Sequence, residues 1–330
     1  MDEWADPAAQ DWFGRLTFDG PPLTRDEMST MKTERSIRVS VCLPTLDEAA
    51  TVGGICEAIR GELMEGAGLV DELIVVDSGS QDSSVEVAAT AGATVHAVTE
   101  ILPDYEGLEP GKGGKGEALW KSLAVCSGDL VVWIDADIRN FSISFVTKLL
   151  APLLAHPEIT IVKGFYERPL TRDEKTIEPG GARVTELAAR PLIQLLYPEL
   201  GGVIQPLSGE YAGYRGRLLQ LPFFSGYAVD VVLLLDVAER FGIDGIAQVD
   251  LGTRVHRNRD ILALGRTSFE VTQGILNRLD ELGRIKVPLD LPDRLLQFAS
   301  RDGEMRATMA LLPVIELPPM ASMLEGRSSG

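Results

Sequence analysis

The sequence predicts an α/β protein with a mostly parallel, Rossmann-like sheet that is flanked by helices. Apolar runs with strand character alternate with helical patterns along the first half of the chain, and polar residues follow several of these runs directly. Such alternation is typical of right-handed crossover units on a parallel sheet. Open sheets of this kind bind ligands beyond the carboxyl ends of their strands. A ligand site is therefore expected where the polar residues follow the strands.

The predicted elements begin after an N-terminal segment of little periodicity. Residues 1–36 contain three prolines, and we expect an irregular extension there. Strands are predicted in SIRVSVCLPT, DELIVVDSGS, TVHAV and DLVVWIDAD, with helices in the segments that start at Asp47, Asp82 and Gly116.

The second half of the chain loses the strict alternation. Helices are predicted around residues 145–153, 184–197 and 226–242, and strands in ITIVKGFY and GIAQVDLG. Helical patterns continue between residues 261 and 300. The tail from Leu311 onward is rich in Pro and Met, so we expect it to be poorly ordered.

Composition narrows the class of protein. The chain has 330 residues, of which 45% are hydrophobic, and a net charge of -18 that argues against general affinity for nucleic acid or anionic membrane. It contains neither a long apolar run nor a signal-peptide pattern, so we expect a cytoplasmic protein. The three cysteines, Cys42, Cys56 and Cys126, lie in apolar segments without C-x-x-C pairing. They are predicted to be reduced core residues.

Two carboxylates follow the predicted strand in VVWIDADIRN. Asp135 and Asp137 are one residue apart, and in an extended chain such residues point the same way and repel each other. A positive group is therefore expected between them. A divalent cation with oxygen ligands and phosphate partners is the simplest candidate, although aspartates are also common at strand ends without any such role.

Basic residues gather locally in this acidic protein. RVHRNR, residues 254–259, places Arg254, His256, Arg257 and Arg259 close together, either on a solvated loop or at a site for an anionic substrate. GKGGKG, residues 111–116, satisfies G-x-G-x-x-G, but the loop before it has two prolines and no strand, so the dinucleotide fingerprint fails. Lys112 or Lys115 of this loop could still reach a phosphate.

The motifs together resemble a known family. LPTLDEAATVGGI, ELIVVDSGSQDSS, GKGEALWKSL, VVWIDADI, GARVTELAARPL, QPLSGEYAG, GYAVDVVLLLD and QVDLGTRVHRNR resemble segments of the glucosyl- and mannosyl-3-phosphoglycerate synthases, which are retaining GT-A glycosyltransferases of family 81. The resemblance runs from about residue 37 to 260. It implies a GT-A fold with a nucleotide-sugar-binding half at 37–140, a smaller acceptor-binding half at 141–260, and C-terminal helices and a tail at 261–330.

The resemblance also implies an activity and a set of site residues. The activity is transfer of a hexose from GDP-mannose or UDP-glucose to the 2-hydroxyl of D-3-phosphoglycerate, with Mg²⁺ or Mn²⁺, in a homodimer. Asp137 and His256 are implied as metal ligands, and Asp135, Asp230 and Arg183 as catalytic residues. The nucleotide-sugar contacts implied are Pro44, Thr45, Leu46, Glu48, Ser80, Lys115, Asp135, Ala136, Leu207 and Ser208. The acceptor contacts implied are Arg183, Val184, Thr185 and Asn258.

The chemistry agrees with these implied roles. The leaving nucleoside diphosphate develops negative charge that a cation neutralises, and arginine suits an acceptor with carboxylate and phosphate groups. No sequence feature places Asp135, Glu210 or Asp230 as a nucleophile beneath the sugar, so we expect a front-face transfer. Where serine, glycine and glutamate are usual in the glucosyl enzymes, this chain has Ala136, Ala182 and Asp230. These differences favour the mannosyl enzyme or one that accepts both donors.

Other classes of function remain open at this point. One is another GT-A enzyme, either an inverting polysaccharide glycosyltransferase or a sugar nucleotidyltransferase. A nucleotidyltransferase releases pyrophosphate, whereas a glycosyltransferase that uses such a donor releases a nucleoside diphosphate. The other is a sugar-nucleotide-binding regulator without catalytic activity.

Overall fold

The computed structural model describes residues 6–21, 23–167, 170–172, 175–177, 182–255, 260–287, 290–301 and 304–325. Its strands are β1 Thr17–Phe18, β2 Val39–Thr45, β3 Glu72–Asp77, β4 Thr94–Ala97, β5 Leu130–Trp133, β6 Ile161–Glu167, β7 Leu170–Arg172, β8 Lys175–Ile177, β9 Tyr211–Tyr214, β10 Phe223–Phe224, β11 Ile246–Thr253, β12 Arg294–Arg301, β13 Glu304–Leu311 and β14 Glu316–Leu317. Its α-helices are α1 Pro7–Leu16, α2 Arg25–Glu34, α3 Val52–Ala58, α4 Ser84–Thr90, α5 Gly114–Val125, α6 Ser144–Ala155, α7 Arg190–Leu196, α8 Arg215–Leu218, α9 Val229–Phe241, α10 Ile261–Glu281 and α11 Met320–Glu325. π-Helical turns at Ile59–Gly66 and Thr185–Ala189 extend α3 and precede α7.

One mixed sheet of eight strands forms the centre of the molecule. Its order is β1-β11-β6-β9-β5-β2-β3-β4, and every neighbouring pair is parallel except those of β9 with β5 and β6. The predicted α/β class with a mostly parallel, helix-flanked sheet is therefore confirmed. Strands of both predicted halves share this sheet, and the boundaries proposed at residues 140 and 260 stay a prediction.

The core explains why the central strands are apolar throughout. β5 is fully buried along its length, and α5 and α6 pack on the sheet with most of their residues buried. A strand covered on both faces has no solvent side that would require alternation. Cys42, Cys56 and Cys126 are buried free thiols, as predicted.

The prediction of an irregular N-terminal extension is wrong. Residues 7–18 form α1 and β1, residues 25–34 form α2, and β1 pairs with β11 at the edge of the sheet. Trp12 is completely buried, and its indole N–H donates to the carbonyl of Ile246 at 2.9 Å. Thr24 and Glu27 form a capping box at the start of α2. The segment is therefore tied to the domain core.

The prediction of a poorly ordered tail is also wrong for residues 311–325. β13 ends at Leu311, β14 pairs with β10, and Leu317 and Met320 are completely buried. The indole of Trp120 donates to the carbonyl of Pro318 at 2.7 Å. The last residues of the tail, 326–330, lie outside the described residues. Among the residues described, no helix combines the length and apolar character needed to cross a bilayer.

Candidate active site

A cavity of about 560 Å³ opens at the carboxyl ends of β2, β3 and β5. This is the edge at which the sequence predicted a ligand site. The predicted residues that line it are Pro44, Thr45, Leu46, Glu48, Lys115, Asp135, Ala136 and Asp137. Their shared location follows from the parallel order of these strands, because the segments after parallel strands emerge on one side of the sheet.

The loop after β2 is held in place by polar contacts with the loop after β3. Asp47 has a φ of 57°, and its backbone N–H donates to the Ser80 hydroxyl at 2.9 Å. The Ser80 hydroxyl in turn donates to Asp77 at 2.5 Å, and Asp47 accepts from the Gln81 N–H at 2.7 Å. Ser80 does not line the cavity. Its contacts support the loop that does, and the predicted role of Ser80 in binding the nucleotide stays a prediction.

A buried glutamate organises the glycine-rich loop before α5. Glu117 is 1% exposed and accepts from the N–H groups of Gly111 and Gly113, at 3.1 and 2.8 Å. Lys121 completes the arrangement with an ion pair at 2.9 Å. No strand runs into this loop, which confirms that GKGGKG is not a dinucleotide fingerprint. The ordered loop places Lys115 at the start of α5.

Lys115 joins two predicted catalytic carboxylates. Its ammonium lies 3.1 Å from Asp135 Oδ1 and 3.2 Å from Asp230 Oδ2. Burial lowers the pKa of Lys115, but the charges of Asp135 and Asp230 outweigh that effect and raise the pKa above its ordinary value. Lys115 is therefore a permanent cation on the wall of the cavity.

Arg254 is the positive group between the paired aspartates. Its Nη2 donates to Asp135 Oδ2 at 2.9 Å and to Asp137 Oδ1 at 2.6 Å. Its Nε lies 3.2 Å from Glu210 Oε1, and its Nη1 donates to the Tyr166 hydroxyl at 3.1 Å. The sequence predicted a positive group at this position, but it favoured a metal ion. The structure adds an arginine.

Polar atoms of two buried residues, Ser208 and Asp230, lack hydrogen-bond partners within the described part of the chain. Ser208 is completely buried and Asp230 is 4% exposed, yet Ser208 Oγ and Asp230 Oδ1 make no hydrogen bond there. Lys163 fixes the backbone around them, because its ammonium donates to the carbonyls of Ser208 at 2.7 Å and Asp230 at 3.3 Å. Buried hydroxyls and carboxylates are normally hydrogen-bonded, so this region is suited to ligand hydroxyls or water. Leu207 is partly buried beside it.

The predicted acceptor residues begin at a strained turn. Ala182 has a φ of 61°, a left-handed conformation that glycine adopts more easily, so the alanine noted in the sequence stands where the backbone would favour glycine. Arg183 follows it, and Val184 and Thr185 are buried at the start of the π-helical turn. Asn258, like the predicted metal ligand His256, lies outside the described residues, so neither role is tested.

A divalent cation fits the donors that the cavity presents. The side chains of Asp135 and Asp137 are 22% and 28% exposed and line the cavity, and carboxylate oxygens are ligands that Mg²⁺ and Mn²⁺ accept. Within the described residues, no group of three or more histidine, cysteine, aspartate and glutamate side chains could hold a metal ion. The predicted set depends on His256.

The fold and this cleft define a GT-A glycosyltransferase. The family model described as glycosyl transferase family 2 matches residues 40–220, which is more than half of the chain. The loop after β2, the glycine-rich loop and both aspartates lie within that match.

More narrowly, the chain belongs to the glucosyl- and mannosyl-3-phosphoglycerate synthase family. It is 42% identical over 299 residues to the glucosyl-3-phosphoglycerate synthase of Petrotoga mobilis, covering 91% of each chain. The crystal structure of mannosyl-3-phosphoglycerate synthase from Rubrobacter xylanophilus has a TM-score of 0.87 and 36% identity, over 96% of this chain and 98% of that one. Glucosyl-3-phosphoglycerate synthase from Mycobacterium tuberculosis, solved with Mn²⁺, UDP-glucose and phosphoglyceric acid, has a TM-score of 0.80 and 42% identity, over 94% of this chain and 99% of that one.

Some residues of the site were missed in the sequence. Arg254 was part of the basic RVHRNR motif, and its position two residues after the predicted strand GIAQVDLG was a usable signal. Lys163 was hidden inside an apolar strand. Tyr227 and Glu270 also line the cavity, as do residues 311–313. Tyr227 belongs to the GYAVDVVLLLD motif, which gave it no role, whereas Glu270 and residues 311–313 are distant in the chain from all the quoted motifs.

Proposed function

We propose that this chain transfers a hexose from a nucleoside-diphosphate sugar to the 2-hydroxyl of D-3-phosphoglycerate, with retention of configuration. The observation that carries the proposal is that the predicted nucleobase loop, Lys115, Asp135 and Asp137 line one cavity. Relatives that cover nearly the whole chain are named as glucosyl- or mannosyl-3-phosphoglycerate synthases. One of them was solved with UDP-glucose and phosphoglyceric acid.

The residues of the cavity divide the work of binding the donor. The loop at residues 44–48 receives the nucleobase and ribose, and Lys115 lies where it can neutralise a phosphate oxygen. Asp135 addresses the hexose. Ser208 Oγ and Asp230 Oδ1, which have no hydrogen-bond partner among the described residues, are suited to hexose hydroxyls. Arg183, Val184, Thr185 and Asn258 bind the acceptor. For Val184 and Thr185, whose side chains are buried, the backbone N–H groups are the suitable donors.

Asp137 and His256 would hold a divalent cation, which supplies Lewis-acid neutralisation of the departing diphosphate when bound. The related mycobacterial enzyme was solved with UDP and either Mn²⁺ or Mg²⁺. The carboxylate of Asp137 is suited to either ion, whereas an imidazole favours Mn²⁺. Asp137 is therefore the described residue whose loss should abolish the metal-dependent transfer.

The ion pairs of the site support a front-face transfer. Both oxygens of Asp135, which lines the cavity, pair with a cation, Oδ1 with Lys115 and Oδ2 with Arg254, so Asp135 would have to leave a cation before it could act as a nucleophile. In a front-face transfer the bond from the anomeric carbon to the phosphate oxygen breaks while the acceptor oxygen bonds on the same face. The hydroxyl proton passes to the departing phosphate. A glycosyl-enzyme trapped in any variant and seen by mass spectrometry would contradict this step.

The donor is proposed to be GDP-mannose, UDP-glucose or both. Similarity supports both, because the mannosyl enzyme has the higher TM-score of the two structures above and the glucosyl enzyme the higher identity. A homodimer and a cytoplasmic location are part of the proposal.

One assay matrix tests the function. Purified protein is incubated with D-3-phosphoglycerate, Mg²⁺ or Mn²⁺, and each of GDP-mannose, UDP-glucose and GDP-glucose, and the products are analysed by mass. We expect hexosyl-3-phosphoglycerate and a nucleoside diphosphate from at least one donor, and loss of this activity in Asp137→Asn. Asp19→Asn, at an exposed aspartate, is the matched control. Release of pyrophosphate would indicate a sugar nucleotidyltransferase, and no product with any donor would reject the proposal.

A further inference from the structure

Arg254 is buried in a position from which it contacts four partners. The residue is 3% exposed and follows β11 directly. Glu210 and Tyr166 hold its Nε and Nη1, and only Nη2 reaches the two aspartates that line the cavity. The side chain therefore has an anchored part and a single donor nitrogen that bridges Asp135 and Asp137.

The backbone around Arg254 is fixed to the segment that carries the aspartates. The Arg139 N–H donates to the carbonyl of Val255 at 3.0 Å, and Asn140 accepts from the Val255 N–H at 2.8 Å and donates to the carbonyl of Thr253 at 2.7 Å. Arginine also stays protonated at any pH that proteins meet. Because the backbone is fixed and the guanidinium stays charged, only a movement of the Arg254 side chain can separate this charge from the two aspartates.

A divalent cation at Asp137 would compete with this nitrogen. Asp137 Oδ1 already accepts from Arg254 Nη2 at 2.6 Å, and an oxygen that receives a charged N–H is less available to a metal. Asp135 has a second cation, Lys115, at 3.1 Å, so it remains compensated when Nη2 moves. The two aspartates therefore differ in how much they depend on Arg254.

We propose that Arg254 is the resident counter-ion of Asp135 and Asp137, and that a divalent cation displaces its Nη2 from Asp137. Glu210 and Tyr166 keep the rest of the guanidinium in place. The released N–H then faces the cavity, where it donates to an anionic oxygen of the nucleoside-diphosphate donor. The inference rests on the proposed function, because it takes the cation to bind at Asp137.

This arrangement couples the cation to the nucleotide. The cation alone must replace an existing ion pair, whereas the nucleotide gives the displaced nitrogen a new acceptor. Each ligand should therefore strengthen the binding of the other by the same factor, and such couplings are about 5- to 150-fold. Without the arginine, the cation would meet no competitor and the coupling would weaken.

Electron paramagnetic resonance of free Mn²⁺ measures this directly, without turnover. Mn²⁺ is titrated into wild type, Arg254→Met and Arg254→Lys, with and without UDP or GDP. We expect Arg254→Met to bind Mn²⁺ alone at least about fivefold more tightly than wild type, and to gain less from the nucleotide. Arg254→Lys should shift the same way, because one ammonium cannot keep all four contacts. Equal Mn²⁺ affinity in wild type and both variants would overturn the inference.

Arg278→Met is the matched control. Arg278 is a partly buried arginine that pairs with the buried Asp236 at 2.5 Å, so its loss should destabilise the protein to a comparable extent at a place away from the cavity.

Crystals of wild type with and without Mn²⁺ add a test that needs no variant. The contact between Arg254 Nη2 and Asp137 should be present without Mn²⁺ and absent when Mn²⁺ is bound. A contact that persists in the Mn²⁺-bound crystal would overturn the inference. If wild type makes no hexosyl product and binds no Mn²⁺ with nucleotide, both proposals fail. If wild type makes product but the Arg254 variants bind Mn²⁺ like wild type, only this inference fails.

Discussion

Asp135 is held from three sides, and the close approach of Gly209 is the least tolerant of its contacts. A Cβ atom on Gly209 would lie 1.9 Å from Asp135 Oδ2, while Lys115 and Arg254 restrain the same carboxylate. The loop LSGE can therefore pass beside Asp135 only with glycine at this position. A sequence pattern alone does not reveal such a contact, because its partner is distant in the chain.

We expect Gly209→Ala to displace the Asp135 carboxylate. A misplacement of about 1 Å at a catalytic group can lower the rate about 100-fold, so kcat/KM for hexose transfer should fall by about that factor. Gly216→Ala is the matched control, because a Cβ there meets no atom within 4 Å. Steady-state kinetics on both variants test this prediction. If Gly209→Ala kept the kcat/KM of wild type, the position of the Asp135 carboxylate would not limit the transfer.

Lys163 gives the protein a stability that depends on pH. It is 1% exposed, and burial lowers its pKa from the ordinary 10.5 to about 8, an effect that the charge of Asp230 only partly offsets. Between pH 8 and 10.5 the unfolded chain keeps the proton that the folded protein has lost. Because the unfolded state then binds more protons, the free energy of unfolding rises with pH in this window.

The pH dependence that Lys163 causes is measured as the difference in the free energy of unfolding between wild type and Lys163→Met. The free energy of unfolding of wild type relative to the variant should rise by up to about 3 kcal/mol from pH 8 to 10.5, measured by urea denaturation. Lys148→Met controls for the loss of a lysine–carbonyl hydrogen bond, since Lys148 donates to the carbonyl of Asp250 at 2.8 Å. A wild-type-minus-variant difference that stays constant with pH would contradict the assigned protonation.

At the scale of elements, the ends of the chain complete the fold. Residues 311–313 line the cavity, β14 pairs with β10, and α11 packs on α5. The N-terminal α1 was overlooked although Trp12 and Leu16 face the core, because its partner β11 lies more than two hundred residues away. Short terminal elements gain their stability from such distant packing. Local periodicity could not show it.

The buried end of the C-terminal segment should contribute to global stability. Leu317 is completely buried in β14, so we expect Leu317→Ala to lower the free energy of unfolding by about 2–5 kcal/mol. Leu296→Ala, at a side chain that is 49% exposed in β12, should change it by less than about 0.5 kcal/mol. Urea denaturation compares the two. Equal effects would mean that the segment is loosely attached in solution.

At the scale of the whole molecule, the parallel part of the sheet could be predicted from the sequence, but its one antiparallel strand, β9, could not. The parallel strands β2 to β5 follow from apolar runs that alternate with helices, and their common edge follows from that order. β9 inserts antiparallel between β5 and β6, and no local pattern in YAGY specifies its neighbours. The site followed the same division: residues after strands were found together, whereas Lys163, which lies inside the apolar strand β6, needed the fold to place it.

The molecule carries a net charge of -18 and yet collects cations around one acidic cluster. Lys115, Lys163 and Arg254 surround Asp135, Asp137, Glu210 and Asp230. Three cations face four carboxylates, so the cluster keeps a formal excess of one negative charge. A bound divalent cation would make the cluster net positive, and an anionic donor would then be attracted to the cavity despite the repulsive overall field.

The central claim is that a divalent cation at Asp137 links this cluster to the donor's diphosphate. An anomalous difference map from a crystal grown with Mn²⁺ and UDP or GDP tests it directly. We predict a manganese peak within coordination distance of an Asp137 carboxylate oxygen, with the diphosphate in the cavity beside Lys115. A manganese peak away from Asp137, or a diphosphate bound outside this cavity, would contradict the account.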